Sequence, residues 1–408
     1  MSTIRLPSGV RDFLPRAAAR RRALAGRVLG VFDAWGYARV ITPVFEVSDV
    51  LERGLGAAAR AQAIRFVEPG TGQVVALRPD ITPQIARLVA TRLTDIAGPY
   101  RLCYEGTVTR LAGEFGQREI LQAGVELVDP DRVLPGAALE GEVLSVAWAA
   151  VSALGLPELV LYAGHVAPAR FVLDSAPDDD ARERLVAAIS RKDRAGVRAC
   201  ARALPADVAP LAEGLVTLWG PARATLEKFA AMGWPGHVRT AIDELAASIA
   251  GTGLEVHVDL GDLRGFDYYT GIKFAAYAGG APDAVLRGGR YDELLGRYGR
   301  PAHAAGFAID LEAIAQAQRA AGIAPPRPAP GFATSDPALA RDLRSAGLRA
   351  VVQGAGVTAA WLRGSGLDAA LVGDHLMLPD DSRRPAKDAI QAARAGDTKA
   401  LIALLQTT

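Results

Sequence analysis

The sequence predicts an α+β protein: an antiparallel sheet flanked by helices, interrupted by a helical insertion and followed by a small C-terminal α/β domain. Short extended runs at residues 101–104, 107–110 and 119–128 follow one another like hairpins, which favours antiparallel pairing over alternating parallel units. Residues 168–251 turn helical and Ala/Leu-rich before extended runs resume at 254–260, 265–277 and 284–291, so the sheet is discontinuous in the chain. Closely spaced prolines in residues 322–331 prevent a helix and favour a stiff extended linker. That linker separates a first domain, residues 1–321, from a last one, residues 332–408.

Each element has a local cause. Leu24, Val28, Val31, Phe32 and Trp35 recur at helical spacing and predict a long surface helix from Pro15, ended by Gly36-Tyr37. Residues 38–45 read as an extended run broken by Pro43. A second helix opens at Thr82-Pro83, with Thr82 suited to the cap, Pro83 to the first position, and Ile85, Leu88, Val89 and Leu93 in register. Residues 309–321 are helical again. After the linker, Pro337 opens a helix, residues 350–353 and 369–372 are candidate strands, and a last helix covers residues 386–405.

Composition narrows the function. With 50% hydrophobic and 22% charged residues, the 408-residue chain is neither disordered nor a small disulfide scaffold. Lys+Arg 46 against Asp+Glu 45 leaves a net charge of +1, so no whole-chain attraction draws it to nucleic acid or to an anionic membrane. Cys103 and Cys200 form no disulfide framework or zinc site, and the five histidines lack metal-ligand spacing. Pro7, Gly9 and Asp12 break up the start, which does not read as a signal peptide, and no stretch approaches a membrane span. The expectation is a soluble, cytoplasmic protein without metal or cofactor.

Three segments carry candidate chemistry. Along residues 119–128, strand alternation puts Leu121, Ala123, Val125 and Leu127 on one face and Gln122, Gly124 and Glu126 on the other. Gln122 and Glu126, four residues and roughly 13 Å apart, cannot bond each other, and Gly124 between them would leave floor space for a small ligand. A solvated sheet face with ordinary polar residues explains the same pattern. In Leu77-Arg78-Pro79-Asp80-Ile81-Thr82-Pro83, Asp80 and Thr82 sit at a helix start, where capping alone accounts for them. Arg264-Gly265-Phe266-Asp267-Tyr268-Tyr269 combines a fork-shaped cation with two phenols, suited to gripping a carboxylate beside an aromatic wall; it reads equally as a structural Arg264–Asp267 pair. Arg287-Gly288-Gly289-Arg290-Tyr291-Asp292 lacks the spacing and the Lys-Ser/Thr ending of a phosphate loop.

Together these segments resemble the core of histidyl-tRNA synthetases, a class II aminoacyl-tRNA synthetase fold, over roughly residues 4–321. The start Pro7-Ser8-Gly9-Val10-Arg11-Asp12-Phe13-Leu14-Pro15 is similar to the family's opening. The runs Gly36-Tyr37 and Thr42-Pro43-Val44-Phe45-Glu46 are similar to its dimer-forming first motif, and Tyr104-Glu105, then Arg118-Glu119 with Gln122 to Glu126, to the two strands of its second. Arg264 to Tyr269 and Gly288-Gly289-Arg290-Tyr291-Asp292 resemble histidine-specific signatures. The resemblance implies that Asp80, Thr82 and Gln122 meet the α-amino group of histidine, Glu126 and Tyr269 its imidazole, and Arg264 its carboxylate side, with Tyr268 and Tyr291 lining the pocket.

Two departures affect the nucleotide half. The family's phosphate-gripping Arg of the second motif is replaced by Cys103 in Leu102-Cys103-Tyr104-Glu105, and the third motif, Gly306 to Ala313, ends in Ala313 where an Arg is expected. Losing one such electrostatic contributor commonly costs about two to three orders of magnitude in rate. With Asp80 standing for the usual Glu, the combination is similar to the family of ATP phosphoribosyltransferase regulatory subunits. That resemblance implies a chain without catalysis of its own, self-associating as a dimer and joined to a short-form catalytic subunit in a hetero-octamer. It also implies the first step of histidine biosynthesis, with histidine as feedback effector. Nothing in the charge pattern points to tRNA; the alternative function is an active histidyl-tRNA synthetase.

Overall fold

A computed structural model describes residues 5–112, 116–265, 268–325, 327–354 and 356–406. The chain divides into two compact units, Met1–Pro325 and Pro326–Thr408.

In the first unit, helix α1 (Pro15–Ala34) places Pro15 in its first turn and turns Leu24, Val28 and Phe32 inward. Gly36, at φ +78°, takes the left-handed conformation that lets the chain reverse into strand β1 (Ala38–Arg39). The expected run 38–45 does not continue as one strand. It splits, and its far end enters β2 (Phe45–Val47). Helices α2 (Ser48–Glu52) and α3 (Ala57–Ala61) follow, then β3 (Arg65–Val67) and β4 (Val74–Leu77), which form a separate three-stranded antiparallel sheet with β2. Helix α4 (Thr82–Arg92) leads to β5 (Tyr100–Thr109), β6 (Glu119–Asp129), α5 (Gly136–Ser152) and β7 (Val160–His165).

Residues expected as two strands, 101–104 and 107–110, are one strand. Gly106 does not break it: a Cβ there would lie 2.3 Å from Arg78 Nη2, so the glycine makes room for a guanidinium laid across β5.

The helical stretch comprises α6 (Val166–Asp174), α7 (Asp179–Ser190), α8 (Arg194–Ala201) and α9 (Ala209–Thr217), a short strand β8 (Trp219–Pro221), then α10 (Ala222–Ala230) and α11 (Gly236–Ala250). The chain returns through β9 (His257–Asp259), β10 (Ile272–Tyr277), β11 (Leu286–Arg290), α12 (Glu293–Gly296), β12 (His303–Asp310) and α13 (Leu311–Ala320). Among the described residues of the expected extended run 265–277 only β10 forms, and the helix expected from residue 309 is preceded by β12, read in the sequence only as a motif. The nine strands lie in the order β1-β5-β6-β12-β11-β10-β7-β9-β8, antiparallel except for β1–β5 and β7–β9.

One face of this sheet, with Ala123, Val125, Leu127, Phe307 and Ile309, packs under α1, α5 and α13, where Phe32 meets Phe307 edge-on at 5.8 Å. Alternation along β6 therefore sorts its side chains as the sequence predicts. The opposite face holds Tyr100, Leu102, Tyr104 and Val108 against Ile81, Ile85 and Val89 at α4.

The second unit is a five-stranded sheet ordered β14-β13-β15-β16-β17, from β13 (Gly331–Thr334), β14 (Arg349–Val352), β15 (Ala369–Val372), β16 (His375–Met377) and β17 (Arg383–Pro385). The first three strands run parallel. Its helices are α14 (Pro337–Ser345), started by the Asp336 side chain and Pro337, α15 (Ala359–Ser365), α16 (Lys387–Arg394) and α17 (Lys399–Gln406). The expected last helix is two, because Gly396 at φ +91° turns the chain between them. Gly331, expected in the linker, is already the first residue of β13.

Close backbone approach makes Gly124 a sensitive point of the large sheet. A Cβ there would meet Phe307 O at 2.2 Å and the Tyr104 hydroxyl at 2.5 Å. Gly124→Ala is expected to cost about 1–3 kcal/mol, read as a lower denaturation midpoint; an unchanged midpoint would contradict this packing.

Candidate functional site

The site is built where the start of α4 crosses β6. Arg78, buried, anchors that crossing: its Nε donates to Thr107 O at 2.9 Å and its Nη1 to Thr42 O and Oγ1 at 3.0 Å. Asp80 Oδ1 accepts from Thr82 N at 3.0 Å, a local turn that leaves the Thr82 hydroxyl free to point at the sheet. That hydroxyl donates to Glu126 Oε1 at 2.6 Å, and the Tyr291 hydroxyl bonds the other carboxyl oxygen.

Glu126 is 1% exposed. Its carboxyl lies over Gly306, its register partner on β12, where a Cβ would come within 1.9 Å of Oε2. Burial pushes this carboxyl well above the usual carboxylate range; the Thr82 hydrogen bond opposes the shift and the nearby Asp80 charge adds to it.

An aromatic wall closes the cluster. Tyr268 stands edge-on to Tyr269 at 5.3 Å and tilted against Tyr291 at 5.4 Å, while the Tyr269 ring rests on Gly289. The Gln122 Oε1 and Tyr268 Oη atoms are buried without a hydrogen-bond partner among the described residues. Orphaned buried polar atoms cost about 1–3 kcal/mol each when nothing pairs them, so each marks a seat for a polar guest or for water.

The structure thus brings Asp80, Thr82, Glu126, Tyr268, Tyr269 and Tyr291 together, while Gln122 lies on the same sheet face four residues away along β6, opposite Asp310. It does not bring Arg264 there. The Arg264 guanidinium donates from Nε to Asp262 Oδ1 at 2.9 Å, lies 3.7 Å from Asp283 and faces the Tyr277 ring at 5.4 Å, in a neighbouring pocket. The alternative Arg264–Asp267 pair lies outside the described residues, because Phe266 and Asp267 are not among them. The floor space expected above Gly124 is filled by the Tyr104 ring, whose Cζ would sit 2.6 Å from a Cβ at that position.

Cys103 requires a correction. It is buried in the core on the opposite sheet face from Glu126, with Sγ bonded to Tyr37 O at 3.5 Å, and burial pushes its thiol up to about 11. No side chain at position 103 could reach a ligand beside Glu126, so its identity carries no weight about phosphate. Strand parity identifies the relevant position: Tyr104, Gly106 and Val108 share the site face, and the next residue in phase is Arg110, whose Nε reaches Pro79 O at 3.3 Å. Counting by twos from Tyr104 would have found it.

Ala313 tells differently. It is buried at the start of α13, beside a small hollow lined by the carboxylates of Asp283, Asp310 and Glu312. Asp310 Oδ1 caps α13 by accepting from Glu312 N at 2.8 Å and Ala313 N at 3.0 Å, and Glu312 is held by Arg21 and by Arg11, the latter at 3.1 Å. The helix start that could welcome phosphate is already occupied by an acid.

The histidyl-tRNA synthetase family model matches residues 9–314. An ATP phosphoribosyltransferase regulatory subunit of an Anaeromyxobacter species is 44% identical over 347 residues, 80% of this chain and 100% of that protein. The chain belongs to the family of ATP phosphoribosyltransferase regulatory subunits, a histidyl-tRNA synthetase-like lineage. The Geobacter sulfurreducens member is 38% identical over 322 residues, 76% of this chain and 72% of its own length. A Bacillus halodurans structure described as an ATP phosphoribosyltransferase regulatory subunit/histidyl-tRNA synthetase superposes with a TM-score of 0.78 at 27% identity, covering 91% of this chain and 98% of that one. A Nostoc histidyl-tRNA synthetase, at 19% identity, shares the class II fold with the same TM-score, 0.78, over 97% of this chain and 100% of its own.

The raised Glu126 carboxyl makes a pH-dependent stability. Between the ordinary carboxylate range and the raised value the folded chain keeps a proton that the unfolded chain has released, so this group subtracts stability as pH rises through that window. Glu126→Gln is therefore expected to gain in melting temperature relative to the natural chain between acid and neutral pH. Parallel pH profiles for the two proteins would refute this.

Proposed function

We propose that this chain is the non-catalytic regulatory partner of a short-form ATP phosphoribosyltransferase catalytic subunit, acting in the first step of histidine biosynthesis and receiving free histidine in the Glu126 cluster. The observation that carries this reading is the asymmetry of the site. Beside Glu126 the Tyr104 and Tyr268 hydroxyls are buried without a hydrogen-bond partner among the described residues, while the Ala313 end presents Asp310 and Glu312.

Histidine offers an ammonium to Asp80, Thr82 and Gln122, and an imidazole to Glu126 and Tyr269, between the rings of Tyr268 and Tyr291. Arg264 would serve its carboxylate only by leaving Asp262. Feedback then requires different histidine affinities in two assembly states, with a coupling of about 1–3 kcal/mol. In that assembly, dimers of this chain form the centre of a hetero-octamer. Ile41, Val44, Phe45 and Phe66 are exposed on and beside the small sheet, where Phe45 and Phe66 meet edge-on at 5.6 Å, and this apolar face suits self-association. Among the described residues no helix is long and apolar enough to cross a membrane.

Arg110 favours one second reading, an active histidyl-tRNA synthetase, because a cation on the site face could approach a phosphate. The two separate cleanly. The isolated chain is expected to show no histidine-dependent ATP–pyrophosphate exchange, whereas its complex with the short catalytic subunit makes phosphoribosyl-ATP and is inhibited by histidine. Robust exchange by the chain alone would overturn the regulatory reading. Thr82→Ala removes a direct contact to Glu126 and is expected to weaken histidine binding about tenfold, in line with about 1.5 kcal/mol for a hydrogen bond to a buried carboxyl group, by calorimetry. Phe66→Asp is expected to shift the isolated chain from dimer to monomer in light scattering.

A further inference from the structure

Across the same sheet from the Glu126 cluster, β7, β9 and β10 floor an open pocket of about 560 Å³, within the range of small-molecule sites. We propose that it is a binding site for a small anion carrying an aromatic ring, of nucleoside-monophosphate size. This goes beyond the histidine reading, since the pocket shares only Arg264 with the residues assigned to histidine.

Charge selects the anion. Lys192, Arg264 and Lys273 line the pocket against Asp259 and Asp262, an excess of one positive charge. Lys273 is buried and spent on Asp262, but Arg264 is 54% exposed and uses only its Nε for a hydrogen bond. Its Nη1 lies 3.7 Å from Asp283 Oδ1 in an ion pair, while among the described residues its Nη2 makes no hydrogen bond or ion pair and is left as a donor for an acid group. Lys192, whose ammonium is 2.6 Å from Asp259, holds φ +52° just after α7, a conformation glycine would adopt with less strain. Its ammonium, which also donates to Leu215 O at 3.1 Å, stands at the pocket's edge.

Shape selects the ring. Trp219, 55% exposed, stands at the pocket wall with its indole open to stacking. The Tyr277 ring lies under Arg264, and its hydroxyl is buried without a partner among the described residues, an unmet bond that a heteroaromatic or ribose oxygen could complete. A planar ring on Trp219 with its acid group on Arg264 and Lys192 uses each of these features.

The test is calorimetry on the full chain with adenosine 5′-monophosphate, adenosine and inorganic phosphate as separate probes. The monophosphate is expected to bind at least about tenfold more tightly than either fragment, since base stacking and the charged contacts each contribute that order. Trp219→Ala, at an exposed position, and Lys192→Gln, at a half-buried one, both outside the histidine set, are each expected to weaken it about tenfold, with an unchanged melting curve for Trp219→Ala. The proposal is overturned by no binding of the monophosphate at millimolar concentration, by equal binding of either fragment, or by natural affinity in either variant. Histidine binding is measured on the same variants, so that failure here leaves the Glu126 reading standing.

Discussion

The large sheet is organised around one buried carboxyl. A carboxyl taken from water loses its hydrogen bonds and resists ionisation, so a chain that buries Glu126 holds it protonated beyond the usual carboxylate range and supplies partners from several directions at once. It does so with Thr82 from the start of α4 and Tyr291 from the turn after β11, and by leaving Gly306 bare beneath the carboxyl. These groups come from points far apart in the chain, and they meet only if β6, β12 and β11 hold their observed antiparallel registers. A two-residue slip would place the carboxyl over a side chain, and a one-residue slip would turn it into the helix-covered core.

Glycines on this face act as seats. Gly106 receives Arg78, Gly124 the Tyr104 ring, Gly289 the Tyr269 ring and Gly306 the Glu126 carboxyl. Each puts a large polar or aromatic group flat on the sheet, so the face is crowded and polar where an ordinary sheet would be aliphatic. The same face then divides by charge. Near Glu126 the groups are acceptors and phenols suited to a cationic or neutral nitrogen ligand, whereas over β7 and β10 cations line an open pocket. Arg264 stands on the second side of that division, held by Asp262 and Asp283.

The family resemblance was legible in local runs because each has a local physical job: Pro15 and Thr82-Pro83 start helices, and alternation along residues 119–128 sorts one face from the other. The reading of Cys103 failed because a motif was matched by letters without strand phase, although the alternation applied to β6 also applies to β5 and points to Arg110. Arg264 escaped for another reason: its nearest acid groups include Asp283, nineteen positions away and brought close only by the β10–β11 hairpin.

By itself the sequence determined the α+β class, the long helices, the two faces of β6 and the chemical types gathered for an amino acid, since these follow from periodicity, capping and side-chain chemistry within a few residues. Only the tertiary structure decided which cations face which pocket, that Tyr104 covers Gly124, and that Asp310 and Glu312 occupy the head of α13. Those outcomes depend on strand register and on competition among distant charges for the same partner, and neither is encoded within any one segment.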